Sequence, residues 1–129
     1  MTKVPECDID WGETGTDTGK FNMPWGIAVG GSDRIFVLDA GNHRIQVFSS
    51  TGVYETTIGG PGSGNLEFNL PQDICIFGSN VYVTDVGNRR VQYFGTNGTY
   101  LGQWGSGGDG TGNGEFIQPS GIASDGIYV

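Results

Sequence analysis

The chain has 129 residues, a formal net charge of −8 and only six lysines plus arginines. Nucleic-acid affinity comes mostly from Lys and Arg neutralising phosphates, so this balance argues against a nucleic-acid partner. No apolar run approaches the ~18 residues of a membrane helix, so no membrane span is expected, and the first residues lack the apolar centre of a signal peptide. The 25 glycines fall between apolar runs rich in Val, Ile, Tyr and Phe, a pattern of strands punctuated by turns.

In chain order, residues 3–11 read as an isolated outer strand and 12–20 as a polar, glycine-rich loop. Four strands follow at 25–30, 34–39, 44–48 and 53–58, separated by turns at 31–33, 40–43 and 49–52. In the second of these turns Gly41 and Asn42 are expected to supply the positive φ of a tight hairpin. Residues 59–67 form another loop, and four more strands are expected at 72–77, 80–85, 90–94 and 99–104. After a third loop at 105–115, the chain offers two strands near 120–124 and 126–129.

The order repeats at a fixed period. Phe21, Phe68 and Phe116, like Pro24, Pro71 and Pro119, are 47 and 48 residues apart. A period of about 20–50 residues marks solenoids, propellers and arrays, and four short antiparallel strands per period make a propeller blade. Ile35-Phe36-Val37-Leu38 is apolar throughout, which suits a blade buried on both faces between neighbours. The inner strands carry small residues because blades converge at the axis. The absence of a sustained period of about 3.6 excludes a helical bundle. The expected fold is therefore all-β, a β-propeller segment of about 2.5 to 3 four-stranded antiparallel blades. Its parts are an orphan outer strand (3–11), blade one with its following loop (21–67), blade two with its loop (68–115) and a partial third blade (116–129).

Each full unit carries Asp-x-Gly-Asn-x-Arg, at 39–44 and again at 85–90. Asp39 and Arg44 bracket a turn that contains Asn42, and Asp85 and Arg90 bracket one that contains Asn88. The expected role is a charge-assisted hydrogen-bond clamp on the turn or between blades. With the upstream Phe-x-x-Pro-x-Gly-Ile-Ala of residues 21–28, these units resemble the NHL-repeat family. The Asn-His-Leu triplet of that family stands here as Asn42-His43-Arg44 and Asn88-Arg89-Arg90. The resemblance covers residues 3–129 and implies a propeller of about six blades. It also brings two activities into view, amidating lyases with metal-bound histidines and RNA-binding members with a positive propeller face. His43 is the only histidine, so the lyase ligand set is missing, and neither enzyme activity nor a cofactor is expected. For RNA, only Arg44, Arg89 and Arg90 offer a basic cluster.

Propeller ligands commonly meet the loops at the mouth of the axis. On that basis Trp25, Arg34, Asn42, His43, Gln72 and Arg89 are the expected ligand or partner contacts, with His43 otherwise an exposed turn residue. Asp109, Asn113 and Glu115 are spaced like part of a calcium loop. The matching loops lack the pattern, so no metal is expected. Asn97-Gly98-Thr99 is a glycosylation sequon and equally an Asn-Gly turn. Trp11 and Trp104 occupy a repeated slot and are expected to pack. Cys75 aligns with Ala28 and Ala123 and reads as a small buried residue. A Cys7–Cys75 disulfide is not indicated, and two cysteines make no zinc site.

The expected function is a non-catalytic protein-binding or assembly scaffold. The eleven expected strands are one short of three blades. Either the chain is a fragment of a longer NHL protein, with lyase or RNA-binding activity there, or copies assemble. An open arc exposes apolar faces and strand edges, so a complete chain is expected to self-associate as a dimeric ring or a filament. In the ring, residues 3–11 would complete the partner's blade at 120–129. An extracellular structural filament is the related alternative. The compartment stays open, with extracellular favoured over cytoplasmic.

Overall fold

The computed structural model describes residues 12–105, 112–116 and 118–124. The orphan strand at 3–11, Cys7, Trp11, Asp109 and the strand expected at 126–129 lie outside the described residues, and the strand expected near 120–124 is not formed, since residues 118–124 have no strand partner among the described residues to complete a ladder. Two four-stranded antiparallel meanders dominate: β3 (Pro24–Gly30), β4 (Arg34–Asp39), β5 (Arg44–Phe48) and β6 (Tyr54–Ile58), then β9 (Pro71–Phe77), β10 (Asn80–Asp85), β11 (Arg90–Gly95) and β12 (Tyr100–Trp104). Each lies within one residue of its expected bounds. The fold is all-β, and the two sheets are propeller blades.

The loops are less featureless than their composition suggests. Short β1 (Glu13–Thr14) pairs in parallel with β2 (Lys20–Phe21), and β7 (Gly60–Pro61) pairs with β8 (Glu67–Phe68). Two-residue pairs carry no periodicity, so pattern reading passes over them. Each loop therefore closes on itself beside the blade it precedes. Gly59 shows why glycine begins one: its φ is +87°, and a Cβ there would lie 2.6 Å from the Phe68 ring.

Register decides which side chains meet. Gly26 pairs with Leu38 and Ala28 with Phe36, placing these four on the face toward blade two. From blade two, Ile74, Val83, Val81 and Phe94 face back. Phe36, Leu38, Ile45, Val47, Phe68, Val81, Val83 and Phe94 form the buried core between the sheets. Burying each large apolar side chain there contributes about 1.5–3 kcal/mol. The inner strands approach closely. A Cβ on Gly26 would come within 3.0 Å of Ile74 Cγ2, and one on Gly30 within 2.5 Å of Ile76 Cγ2.

Cys75 lies on the opposite face of β9, paired with Tyr82, and is half-buried rather than fully enclosed. Burial first, and the Asp73 carboxylate second, push its thiol above the ordinary value. In a Cys7→Ser background, alkylation of Cys75 followed by mass spectrometry should show a reactivity midpoint above that of a free thiol. Asp73→Asn should bring it part of the way down. A midpoint at or below the ordinary value would refute this environment. Trp104 is 44% exposed, yet it stacks on Tyr93 and Tyr82 with centroids 5.1 and 5.8 Å away.

Candidate functional site

The repeated turn is built first. Ala40–Asn42 and Val86–Asn88 are single 3-10 turns, each closed by a left-handed residue, His43 and Arg89, both at φ 56°. The positive φ thus falls on these two residues and not on Gly41 or Asn42. Gly41 is required for space instead, since a Cβ there would lie 2.7 Å from Asn22 O. Asn42 is required for its amide, which donates to Gly15 O at 2.9 Å and to Asp39 Oδ2 at 2.9 Å.

Asp39 is fully buried and serves as an acceptor hub. Its Oδ1 receives the Asn22 N–H at 2.7 Å, and its Oδ2 receives Arg44 Nε at 2.8 Å and Gln46 Nε2 at 3.3 Å. Arg44 then reaches the preceding loop through the carbonyls of Asp17 and Lys20. Blade two repeats this atom for atom. Asp85 receives Asn69 N–H, Asn88 Nδ2, Arg90 Nε and Gln92 Nε2, and Arg90 ties down Gly64 O and Glu67 O. The arrangement locks each glycine-rich loop onto the turn of the blade it precedes. Gln46 and Gln92 are full members that the sequence reading missed. The available signal was their constant place two residues after the repeated arginine.

At the clamp end of the sheets lies the mouth. Pro24 pairs with Asp39 and Pro71 with Asp85, so the inner strands begin there. Trp25, Gln72 and Ser120, the same position in three successive units, line a depression of about 360 Å³. A neighbouring cleft of about 380 Å³ shares Trp25 and Gln72 and adds Leu70, Val86, Arg89 and Gln118. Just before the inner strands, Met23 and Leu70 hold left-handed φ values of 51° and 49°. Such a conformation costs a bulky residue about 1–2 kcal/mol. Asn22 and Asn69, each fixed by a clamp aspartate, hold the backbone in place. Both side chains stay exposed, at 48% and 40%. This exposed, strained apolar pair could not be read from residue types alone.

The remaining candidates divide. His43 is half-buried rather than exposed, because its Nδ1 accepts the Leu70 N–H of the next unit at 3.0 Å. It lines a separate cleft with Ser63 and Asn88. Arg34 is not at the mouth. It pairs with Gly30 at the other end of the sheet, about 17 Å away along the strand. There it donates to Thr96 O at 2.6 Å and approaches Glu55 at 3.7 Å. Of the three arginines grouped as a basic cluster, Arg44 and Arg90 direct their guanidinium groups into the clamps, and Arg89 is the exposed one. Glu115 Oε2 accepts the Gly112 N–H, as Glu67 Oε2 accepts that of Gly64, so it closes a loop turn. Asn113 is exposed. Asn97 is exposed too, with its Oδ1 accepting the Thr99 N–H within the turn.

Blades of this build, with locked turns and a variable mouth, define the class as a β-propeller. Residues 21–48 match the NHL repeat. The chain is 33% identical over 51% of its length to protein brain tumor of Drosophila melanogaster, covering 6% of that protein. It is 47% identical over 35% of its length to the B-box type zinc finger protein ncl-1 of Caenorhabditis elegans, covering 5%. It is 49% identical over 29% of its length to human NHL repeat-containing protein 3, covering 11%. The chain thus spans between 5% and 11% of these curated relatives. A solved structure of a Bacteroides fragilis protein described as exported aligns with a TM-score of 0.58 and 21% identity, over 70% of this chain and 26% of that one. That is a likeness of fold alone. Residues 21–48 thus carry an NHL repeat, and one of these relatives is itself named for that repeat.

Proposed function

We propose that this chain is a non-catalytic propeller segment that binds protein partners at its mouth and acts as an assembly scaffold. The observation that carries this is the contrast within the repeat. Clamp positions are the same in both blades: Asp39 and Asp85, Asn42 and Asn88, Arg44 and Arg90, Gln46 and Gln92. Mouth positions differ: Met23, Leu70 and Gln118; Trp25, Gln72 and Ser120; and Arg89 stands where blade one has His43. Fold-keeping duties hold the first set constant, whereas recognition is served by variety. Exposed Trp and Arg beside aliphatic side chains are the residue types that dominate binding energy at protein interfaces.

A phage-displayed peptide library selected against the chain tests this reading. Bound peptides should protect residues 22–25, 69–72 and 86–89 from hydrogen exchange. Trp25→Ala should weaken the best of them by about thirtyfold, as expected for a central aromatic anchor. Binders indifferent to both Trp25→Ala and Arg89→Ala would place recognition elsewhere. An RNA gel shift that weakens steeply with salt would instead favour the nucleic-acid alternative.

A further inference from the structure

His43 belongs to the turn of blade one, and Leu70 to the segment that enters blade two between β8 and β9. The Leu70 N–H donates to His43 Nδ1 at 3.0 Å. An amide N–H can only donate, so Nδ1 must present its lone pair and the ring proton sits on Nε2. The bond therefore exists only with the neutral imidazole. In the imidazolium both nitrogens carry hydrogen, and two N–H groups would face each other across the same gap.

Leu70 depends on this bond. Its φ of 49° is one that a bulky residue keeps only where its surroundings hold it. Two consecutive amides do the holding: Asn69 N–H on Asp85 Oδ1 at 2.8 Å, and Leu70 N–H on His43. The first is a clamp bond and recurs in blade one, where Asn22 N–H meets Asp39 Oδ1. The second is not a property of the repeat. Arg89 stands at the place of His43 in blade two, and a guanidinium has no acceptor. A purely fold-keeping duty would have kept an acceptor at both turns.

The surroundings offer an imidazolium little in exchange. The cleft of about 300 Å³ that His43 lines is completed by Pro61, Gly62, Ser63, Phe68, Asn69 and Asn88, none of them charged. On the elements around it the charged groups are engaged elsewhere. Asp39 pairs with Arg44 on the same turn, Asp85 with Arg90 on the next turn, and Lys20 with Glu13 and Asp17 in the preceding loop. Glu67 accepts the Gly64 N–H within its own loop. Arg89, at the mouth, is a second cation and not a counter-ion. Among the described residues, no carboxylate would hold the protonated ring where the neutral ring sits.

We propose that His43 is a proton-released latch between the blades: neutral, it pins Leu70 and keeps the mouth in its binding shape; protonated, it lets Leu70 go and weakens binding there. The coupling to binding rests on the reading of the mouth as a peptide site, and the latch itself does not. Leu70 shares the mouth cleft with Trp25, Gln72 and Arg89, so its release alters the surface that a peptide meets. Because bond and proton exclude each other, the latch is closed at higher pH and opens as pH falls through the titration of the ring.

NMR of the 129-residue chain tests it, and the ring signals assign themselves because His43 is the only histidine. Long-range nitrogen–proton correlation should show the Nε2–H tautomer at about pH 8. From about pH 8 to about pH 5, the range in which an imidazole changes charge, the protection factor of the Leu70 amide should fall about fivefold, in step with the ring. His43→Gln, whose side-chain oxygen accepts without titrating, should abolish that dependence while leaving every other titrating group in place. His43→Ala should leave Leu70 poorly protected throughout. The tightest peptide from the phage selection should bind the wild type about fivefold more weakly at about pH 5 than at about pH 8, a dependence that His43→Gln should lack. An Nδ1–H tautomer, or a Leu70 amide that stays protected while the ring titrates, overturns the latch. A Leu70 amide that responds while peptide affinity does not overturns its coupling to the mouth. A selection that yields no mouth peptide overturns the reading of the mouth, and the Leu70 amide still decides the latch.

Discussion

Replacing Asp85 by alanine should lower the unfolding free energy by about 3–5 kcal/mol, the usual cost of removing one partner of a buried ion pair. The reason is the company that Asp85 keeps. It is fully buried, Arg90 is 5% exposed, and four donors converge on its carboxylate. Without it, a guanidinium, two amides and the Asn69 N–H lose their acceptor together, in a place water reaches poorly. Asp85→Asn should rescue little, because it turns one acceptor oxygen into another donor among donors. Asp39→Ala should cost less, about 2–3 kcal/mol, since the Arg44 side chain is 16% exposed and can recover water. Urea denaturation of the three variants measures the order. Single domains hold about 5–15 kcal/mol in all, so Asp85→Ala sits near the limit of what the chain survives. A loss below about 1 kcal/mol, typical of an exposed pair, would show that the clamp is solvated in solution.

That pair was legible in the sequence because both members recur at fixed spacing around glycine and asparagine. The strands were legible for a similar reason: turn residues bound each apolar run on both sides, and the repeat supplied two independent readings of every boundary. Other features were hidden by their physics. Gln46 and Gln92 alternate with apolar neighbours, which is also how a solvent-facing strand residue looks. Only the loop carbonyls and the aspartate beside them reveal a buried, fully bonded amide. The left-handed backbone of Met23, Leu70 and Arg89 runs against the preference of each residue type, so no propensity argument could have placed it, whereas His43 is of a type enriched there. The conformation is imposed by tertiary bonds, the kind of surroundings that sustain such strain. Arg34 was misplaced at the mouth because strand polarity does not show in a linear pattern. Grouping candidates by loop merges the two ends of a sheet that the register separates.

The second large effect concerns a glycine with an ordinary backbone conformation. Gly87→Val should cost about 2–4 kcal/mol, combining overpacking with loss of a backbone hydrogen bond. A Cβ at this position would lie 2.6 Å from Asn69 O, which is backbone and cannot rotate aside. The Gly87 N–H donates to that same oxygen at 2.8 Å, so pushing the turn away from Asn69 breaks the bond as well. The displaced Asn69 carries the N–H that Asp85 accepts, and the clamp loosens with it. The Gly87→Val and Asp85→Ala effects should therefore add to less than their sum in a double-mutant cycle. Two other glycines calibrate the claim. Gly78 has φ +59° and open space, so Gly78→Ala should cost about 1 kcal/mol from backbone strain alone. Gly60 has neither a positive φ nor an atom within 4 Å, so Gly60→Ala should be neutral or stabilise by about 0.4–1 kcal/mol. If Gly78→Ala proved the worst of the three, backbone conformation rather than close approach would govern glycine in this repeat. The order Gly87, Gly78, Gly60 instead ties the glycine of the Asp-x-Gly-Asn-x-Arg turn to the packing of loop against blade, the contact on which the geometry of the mouth depends.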